Sequence, residues 1–142
     1  MHVASIEWLG VLAAWFISFL SAFNWFSQKM FFNTWWKAMG KPESQQPGDG
    51  QNMGLVFGVT VLSGIGQAVI LALVLDVLAR ALGTGVSVMQ GLVTGLVIGL
   101  ATAGAALGHR LFAGDGFKVW LIEVSNDVLN WALMGVVLSF WY

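Results

Sequence analysis

The sequence contains no cysteine, and it has only two histidines, two prolines and few charged residues. Without cysteine the chain has no disulfides, no thiolate metal sites and no cysteine nucleophile. Charged residues make up 9% of the 142 residues, against about 25% in a soluble domain. Six Lys and Arg face seven Asp and Glu, for a net charge of -1, so we expect no nucleic-acid partner. Apolar residues supply 58% of the chain, and this composition predicts a membrane protein.

Four apolar runs are long enough to cross a bilayer, which takes about 20 helical residues. They cover approximately residues 5–28, 53–82, 86–108 and 117–142. The segment 41–52 holds both prolines and no apolar run, so it is predicted to be the one long polar loop. We therefore predict an all-α integral membrane protein with a single transmembrane domain over residues 1–142 and the lipid bilayer as its surroundings.

Aromatic residues continue beyond the first apolar run, from Met30 to Lys37. A mixture of Trp, Phe and Lys is typical of a helix in the headgroup region, so we interpret this stretch as an interfacial extension. A single long and tilted first span is the alternative. The N-terminal residues lack the Lys or Arg of a signal peptide, and we expect the first span to be retained.

The distribution of Lys and Arg predicts the orientation of the chain. Five of these residues fall on the side shared by the first and third connections: Lys29, Lys37, Lys41, Arg110 and Lys118. Only Arg80 lies near the other side. The positive-inside rule then places both termini outside, and we expect a bacterial inner membrane.

Two groups of residues resemble motifs of a known family. The first is Trp25-Phe26-Ser27 with Phe31 and Trp35, and the second is Arg110-Leu111-Phe112-Ala113-Gly114 with Lys118, Leu121-Ile122 and Leu133-Met134-Gly135. Together they resemble the family of small membrane proteins known as domain-of-unknown-function family 1761. The resemblance implies a four-helix membrane fold and supplies no activity. The sequence departs from the family pattern at Gln28, Phe32, Asn33, Glu123 and Asp127, which stand where the family has Pro, Gly, Lys, Asn and His.

The last apolar run carries a polar face made of Glu123, Asn126, Asp127 and Asn130. The spacing i, i+3, i+4, i+7 places these side chains on one side of a helix. Asp127 would lie about 15 Å inside the membrane, at 1.5 Å per residue, where exposure to lipid costs about 2.5 to 3.5 kcal/mol. The face is either a binding site for a proton, a cation or a polar ligand, or a set of interhelical hydrogen bonds worth about 0.6 to 2 kcal/mol each.

Two charged residues near the outer end of the second span, Asp76 and Arg80, have the i, i+4 spacing of a local ion pair. Arg80 reaching Glu7 on the first span is the alternative. His2 and His109 are predicted at opposite faces of the membrane, which argues against a histidine metal centre.

The third span repeats small residues every four positions, a pattern that lets helix backbones approach closely. We predict helix packing through Gly91, Gly95 and Gly99, with Gly104 and Gly108 on an adjoining face. Because residues 82–85 form a short glycine turn, we expect the second and third spans to be antiparallel neighbours packed through these glycines.

The functional hypotheses follow from the acidic face. The first is a small transporter or channel for a proton, a cation or a small cationic solute through Glu123 and Asp127. The second is a non-catalytic subunit of a larger membrane complex, with a membrane-protein partner on the polar face. No Ser-His pairing, metal-ligand spacing or nucleotide motif is present, so we expect neither an enzyme nor a cofactor. Four helices leave little room for an aqueous path within one chain, so we expect a homo-oligomer.

Overall fold

The computed structural model describes residues 6–142, and this part of the chain contains five helices and no strand. The helices are α1 (Trp8–Trp25), α2 (Phe32–Ala38), α3 (Met53–Leu82), α4 (Val88–Phe112) and α5 (Gly116–Leu138). Helices α1, α3, α4 and α5 are long and apolar enough to cross a membrane. The predicted fold class, an all-α membrane protein with four long apolar helices, is confirmed, and α2 is the short helix after the first span.

The ends of the two middle helices follow from their capping residues. The side chain of Asn52 accepts a hydrogen bond from the backbone N–H of Leu55 and starts α3. Gly83, in the left-handed conformation with φ 67°, ends it. Ser87 and Gln90 form a reciprocal capping box that starts α4. The second span therefore has the predicted bounds, whereas α4 begins two residues later than the predicted 86 and continues to Phe112.

Helix α5 is the centre of the fold, since it packs most extensively on α4 and next on α1, while α3 packs mainly on α1. Gly91 of α4 faces Gly135 of α5, and Gly99 faces Val128, so the two helices are antiparallel. A methyl group added at Gly91 or at Gly95 would collide with the backbone of α5. The glycines thus let two backbones touch.

The predicted pairing of the second and third spans through glycine is wrong. The glycine face of α4 lies on α5, and α3 touches α4 only slightly. A short connection keeps two helix ends close, but the small-residue face selects the partner that can approach it, and that partner is α5. Gly104 and Gly108 are exposed, with no atom within 4 Å of where a Cβ would lie.

The apolar core is concentrated at one end of the molecule. Leu71 and Leu75 of α3 are fully buried there, together with Met134 and Leu138 of α5. The backbone N–H of Val86 donates to the carbonyl oxygen of Tyr142 at 2.9 Å and closes this end. By contrast, residues 51–60 are all exposed, so the first part of α3 extends beyond the packed region.

The contact between α4 and α5 generates a stability prediction. Gly95→Ala inserts a methyl group against the carbonyl oxygen of Trp131, and we expect it to lower the free energy of unfolding by about 1 to 3 kcal/mol. Thermal unfolding in detergent, with size-exclusion chromatography as the readout of folded protein, measures the change.

Gly104→Ala is the matched control, since it lies on the same helix with open space around it. It should leave stability unchanged or raise it by up to about 1 kcal/mol, because Ala has the higher helix propensity. Equal destabilisation by the two variants would contradict backbone contact as the role of Gly95.

Candidate functional site

Glu123 of α5 lies at the centre of a polar cluster that joins three parts of the chain. Its Oε2 atom is 2.7 Å from Nε of Arg110, which is in the last turn of α4. Its Oε1 atom accepts a hydrogen bond of 3.0 Å from the indole N–H of Trp35 in α2. Arg110 also pairs with Asp115 in the connection between α4 and α5, at 3.0 Å. Both oxygens of Glu123 are therefore engaged, and its side chain is only 16% exposed.

Helix α2 is held in place by aromatic contacts, and these bring Trp35 to Glu123. The rings of Trp25 and Phe31 lie 4.4 Å apart between their centroids, and those of Phe26 and Trp35 lie 5.0 Å apart. The indole N–H of Trp25 donates to the carbonyl oxygen of Ile122 in α5 at 3.0 Å. The end of α1 is thus fixed to α5 immediately before Glu123, so α2 packs against the polar cluster.

Asn126, which is buried, and Asn130, which is half-buried, form a pair one turn apart on α5. The amide of Asn130 donates to Oδ1 of Asn126 at 3.0 Å, and Asn126 is 2% exposed. The Nδ2 atom of Asn126 and the Oδ1 atom of Asn130 are buried without a hydrogen-bond partner in the described residues 6–142. One donor and one acceptor in the interior are therefore unsatisfied, a costly arrangement that needs a water, an ion or another chain.

Asp127 differs from its neighbours on the polar face because its side chain is exposed on the outside of the helices. It lies 11 residues after Gly116, the first residue of α5, which corresponds to a depth of about 16 Å along the helix. Glu123, one turn earlier, has its charge compensated by Arg110. Within residues 6–142, no side chain forms an ion pair or hydrogen bond with the Asp127 carboxylate.

The four predicted site residues are thus divided among three environments. Glu123 lies in the cluster with Arg110 and Trp35, Asn126 and Asn130 are paired inside the fold, and Asp127 is exposed. The cluster can hold a fixed charge at one end of α5, and Asp127 can bind a proton or a cation. No group of three or more His, Asp or Glu side chains suited to a metal ion occurs in the described part of the chain.

Sequence reasoning missed Arg110 and Trp35 as partners of Glu123. From the sequence, Arg110 is only one of the positive charges of the third connection, and Trp35 is only part of the interfacial extension. A signal was available for Arg110, because a tight turn at residues 113–115 brings the end of α4 beside the start of α5. No comparable signal predicted Trp35, whose position depends on how α2 folds back.

Asp76 and Arg80 lie on α3, away from the polar face. Nη2 of Arg80 is 2.7 Å from Oδ2 of Asp76. Glu7, the other acid considered for Arg80, donates through its backbone N–H to the hydroxyl of Tyr142 at 3.2 Å. The charge of Asp76 is thus compensated within its own helix.

The cluster around Glu123 generates a second prediction. Arg110→Gln leaves Glu123 and Asp115 without their shared cation, so we expect a loss of about 1 to 3 kcal/mol in unfolding free energy, less than for a fully buried pair because Arg110 is 41% exposed. Thermal unfolding in detergent checks it.

Arg110→Lys should lose less stability than Arg110→Gln, since it retains the charge. Adding Glu123→Gln to Arg110→Gln should recover part of the lost stability. If the double variant is as unstable as the sum of the single variants, the two residues are not coupled.

Comparison with known proteins gives one result that bears on the whole chain. Neither the curated proteins nor the solved structures contain a match. The model of one family, described as protein of unknown function (DUF1761), matches residues 9–139. This confirms the resemblance seen in the two groups of motif residues. The match covers almost the entire chain, so the protein belongs to the DUF1761 family of proteins of unknown function.

Proposed function

We propose that the protein conducts or transports a proton, a cation or a small cationic solute across the membrane, with Asp127 as the carboxylate that binds it. The observation that carries this proposal is an exposed and unpaired carboxylate about 16 Å along a membrane-spanning helix. Ionisable residues at such depth are costly and are typical of ion and proton pathways.

The position of Asp127 favours a pathway between copies of the chain rather than inside one. Contact of a carboxylate with lipid costs about 2.5 to 3.5 kcal/mol, so the exposed side of α5 has to be covered by protein or by water. A second copy packed over this side satisfies that requirement in the simplest way. We therefore propose a homo-oligomer in which Asp127 lines the contact between subunits.

The other polar residues of α5 have supporting roles in this proposal. Asn126 and Asn130 carry one unsatisfied donor and one unsatisfied acceptor, which can bind a water molecule inside the fold. Glu123 keeps a fixed position because Arg110 and Trp35 bind both of its oxygens. The mobile ion or proton is thus assigned to Asp127, one turn away from the ion pair of Glu123 with Arg110.

The orientation and location belong to the same proposal. We infer a bacterial inner membrane with both termini outside, from the lysines and arginine on the first and third connections. In this orientation Glu123 and its cluster lie toward the cytoplasmic side, and Asp127 lies deeper. The proposal includes no catalytic reaction, no cofactor and no nucleic acid.

A second candidate function, an assembly subunit of a larger membrane complex, is favoured by a different observation. Residues 51–60 are exposed on all sides, including Leu55 and Phe57 at the start of α3. An apolar helix without packing partners is suited to contact with the helix of another membrane protein. In this alternative Asp127 pairs with a polar or basic group of that partner.

The transport proposal makes a direct prediction for flux. In proteoliposomes with a pH gradient or a cation gradient, Asp127→Asn should lower the flux at least tenfold, because the amide cannot exchange a proton or neutralise a cation. Asp127→Glu should retain a measurable part of the flux. Asp49→Asn, which removes a carboxylate from the polar loop, is the matched control and should be silent. Normal flux in correctly assembled Asp127→Asn protein would overturn the proposal.

Purification in a mild detergent from the native host separates the two functions. A single self-associated species is the expected result for the transporter. Stable co-purification of a second membrane protein, lost in the Asp127→Asn variant, would instead establish the assembly role.

A further inference from the structure

Three of the four lysines of the chain flank or belong to one short helix, α2, and the fourth, Lys118, lies in α5. Arg80 and Arg110 both pair with carboxylates. Lys29, Lys37 and Lys41 are exposed and form no ion pair within residues 6–142. Lys29 precedes α2, Lys37 lies within it and Lys41 follows it. Residues 29–43 carry these three lysines and one acid, Glu43, so their local charge is +2 in a chain of net charge -1.

The three lysines border a groove of about 1110 Å³ formed by the end of α1, by α2 and by the polar loop. Its apolar lining includes Phe23 in the last turn of α1 and Phe26 directly after that helix. The polar loop also lines the groove, and the buried side chain of Trp36 keeps it in place by donating to the carbonyl oxygen of Pro42 at 3.1 Å. The groove is therefore apolar where the membrane-spanning helix ends and positively charged beyond it.

We propose that this groove binds an anionic phospholipid. The lysine ammonium groups would hold the phosphate and the negatively charged headgroup, while the acyl chains would continue along Phe23 and Phe26. The gradient from aromatic to basic lining matches a phospholipid, which changes from hydrocarbon to phosphate at the same depth. A free phosphate would use the lysines alone and leave the apolar end empty, so the shape of the lining favours lipid. This binding site is independent of any transport through Asp127.

Glu43 is the one acid that lines the groove, and it reduces the positive charge from three to two. A zwitterionic lipid should therefore bind weakly, because its cationic headgroup gains little from a site with net positive charge. The groove thus selects for net negative charge on the lipid as well as for the presence of a phosphate.

The test is native mass spectrometry of the delipidated full chain titrated with phosphatidylglycerol or with phosphatidylcholine. We expect the first phosphatidylglycerol to bind at least tenfold more tightly than phosphatidylcholine. Each lysine near an anionic headgroup raises the lipid affinity about fivefold. The triple variant Lys29→Gln, Lys37→Gln, Lys41→Gln should therefore weaken phosphatidylglycerol binding about a hundredfold. Equal affinity for the two lipids would overturn the proposal.

Control variants separate a defined site from general surface charge. Lys118 borders a smaller depression on α2 together with Lys37, and Lys118→Gln should change the affinity less than twofold. Lys37→Arg, which retains the charge, should bind phosphatidylglycerol normally. The single variant Lys37→Gln should weaken the binding about fivefold, and it keeps the test decisive if the triple variant does not fold. A loss on Lys118→Gln as large as that on Lys37→Gln would overturn the proposal. So would displacement of the lipid by glycerol phosphate at equal concentration, which would show a phosphate site.

Discussion

The structure depends on the close contact between α4 and α5. Gly91, Gly95 and Gly99 present backbone instead of side chains, and the backbone of α5 lies directly against them. This contact sets the register of the two antiparallel helices. It brings Arg110, near the end of α4, to within 2.7 Å of Glu123 on α5. In lipid no hydrophobic force distinguishes one apolar face from another, so close packing of small residues decides which helices associate.

The cost of charge in an apolar medium explains how the polar residues are arranged. Asp76 is compensated within its own helix, and Glu123 is compensated by Arg110 from the preceding helix. Local pairs of this kind remove most of the penalty for charge inside a membrane. Asp127 is the exception, since no ion pair or side-chain hydrogen bond within residues 6–142 involves its carboxylate. That exception is the reason for proposing both an ion-binding role and a subunit contact for the same residue.

Helix α2 connects the two polar regions of the molecule. Its Trp35 binds Glu123, and the neighbouring Trp36 binds the polar loop and lines the basic groove. These adjacent side chains point to different surroundings because they are about 100° apart around a helix. A helix of seven residues is too short to be stable alone, so its position depends on these hydrogen bonds and on its aromatic contacts with α1.

Features that depend on neighbouring residues can be predicted from the amino-acid sequence. The lengths of the apolar runs predicted the four long helices, and the i, i+4 spacing placed Asp76 beside Arg80. The 3.6-residue period placed Glu123 and Asp127 on one side of α5, while Ser87 and Gly83 mark helix ends that local capping chemistry explains. Such properties depend on backbone geometry over a few residues, and no distant part of the chain is needed to define them.

Only the tertiary structure decided which helices pair and what each polar residue meets. The glycine face of α4 could have packed on α3 or on α5, because a small-residue pattern shows that a close approach exists without identifying the partner. The same uncertainty applied to Glu123 and Asp127, which are equivalent on a helical wheel and differ once Arg110 forms its ion pair, and Trp35 its hydrogen bond, with Glu123. Burial and ion pairing depend on residues that are distant in the chain, and these come together only when the helices pack.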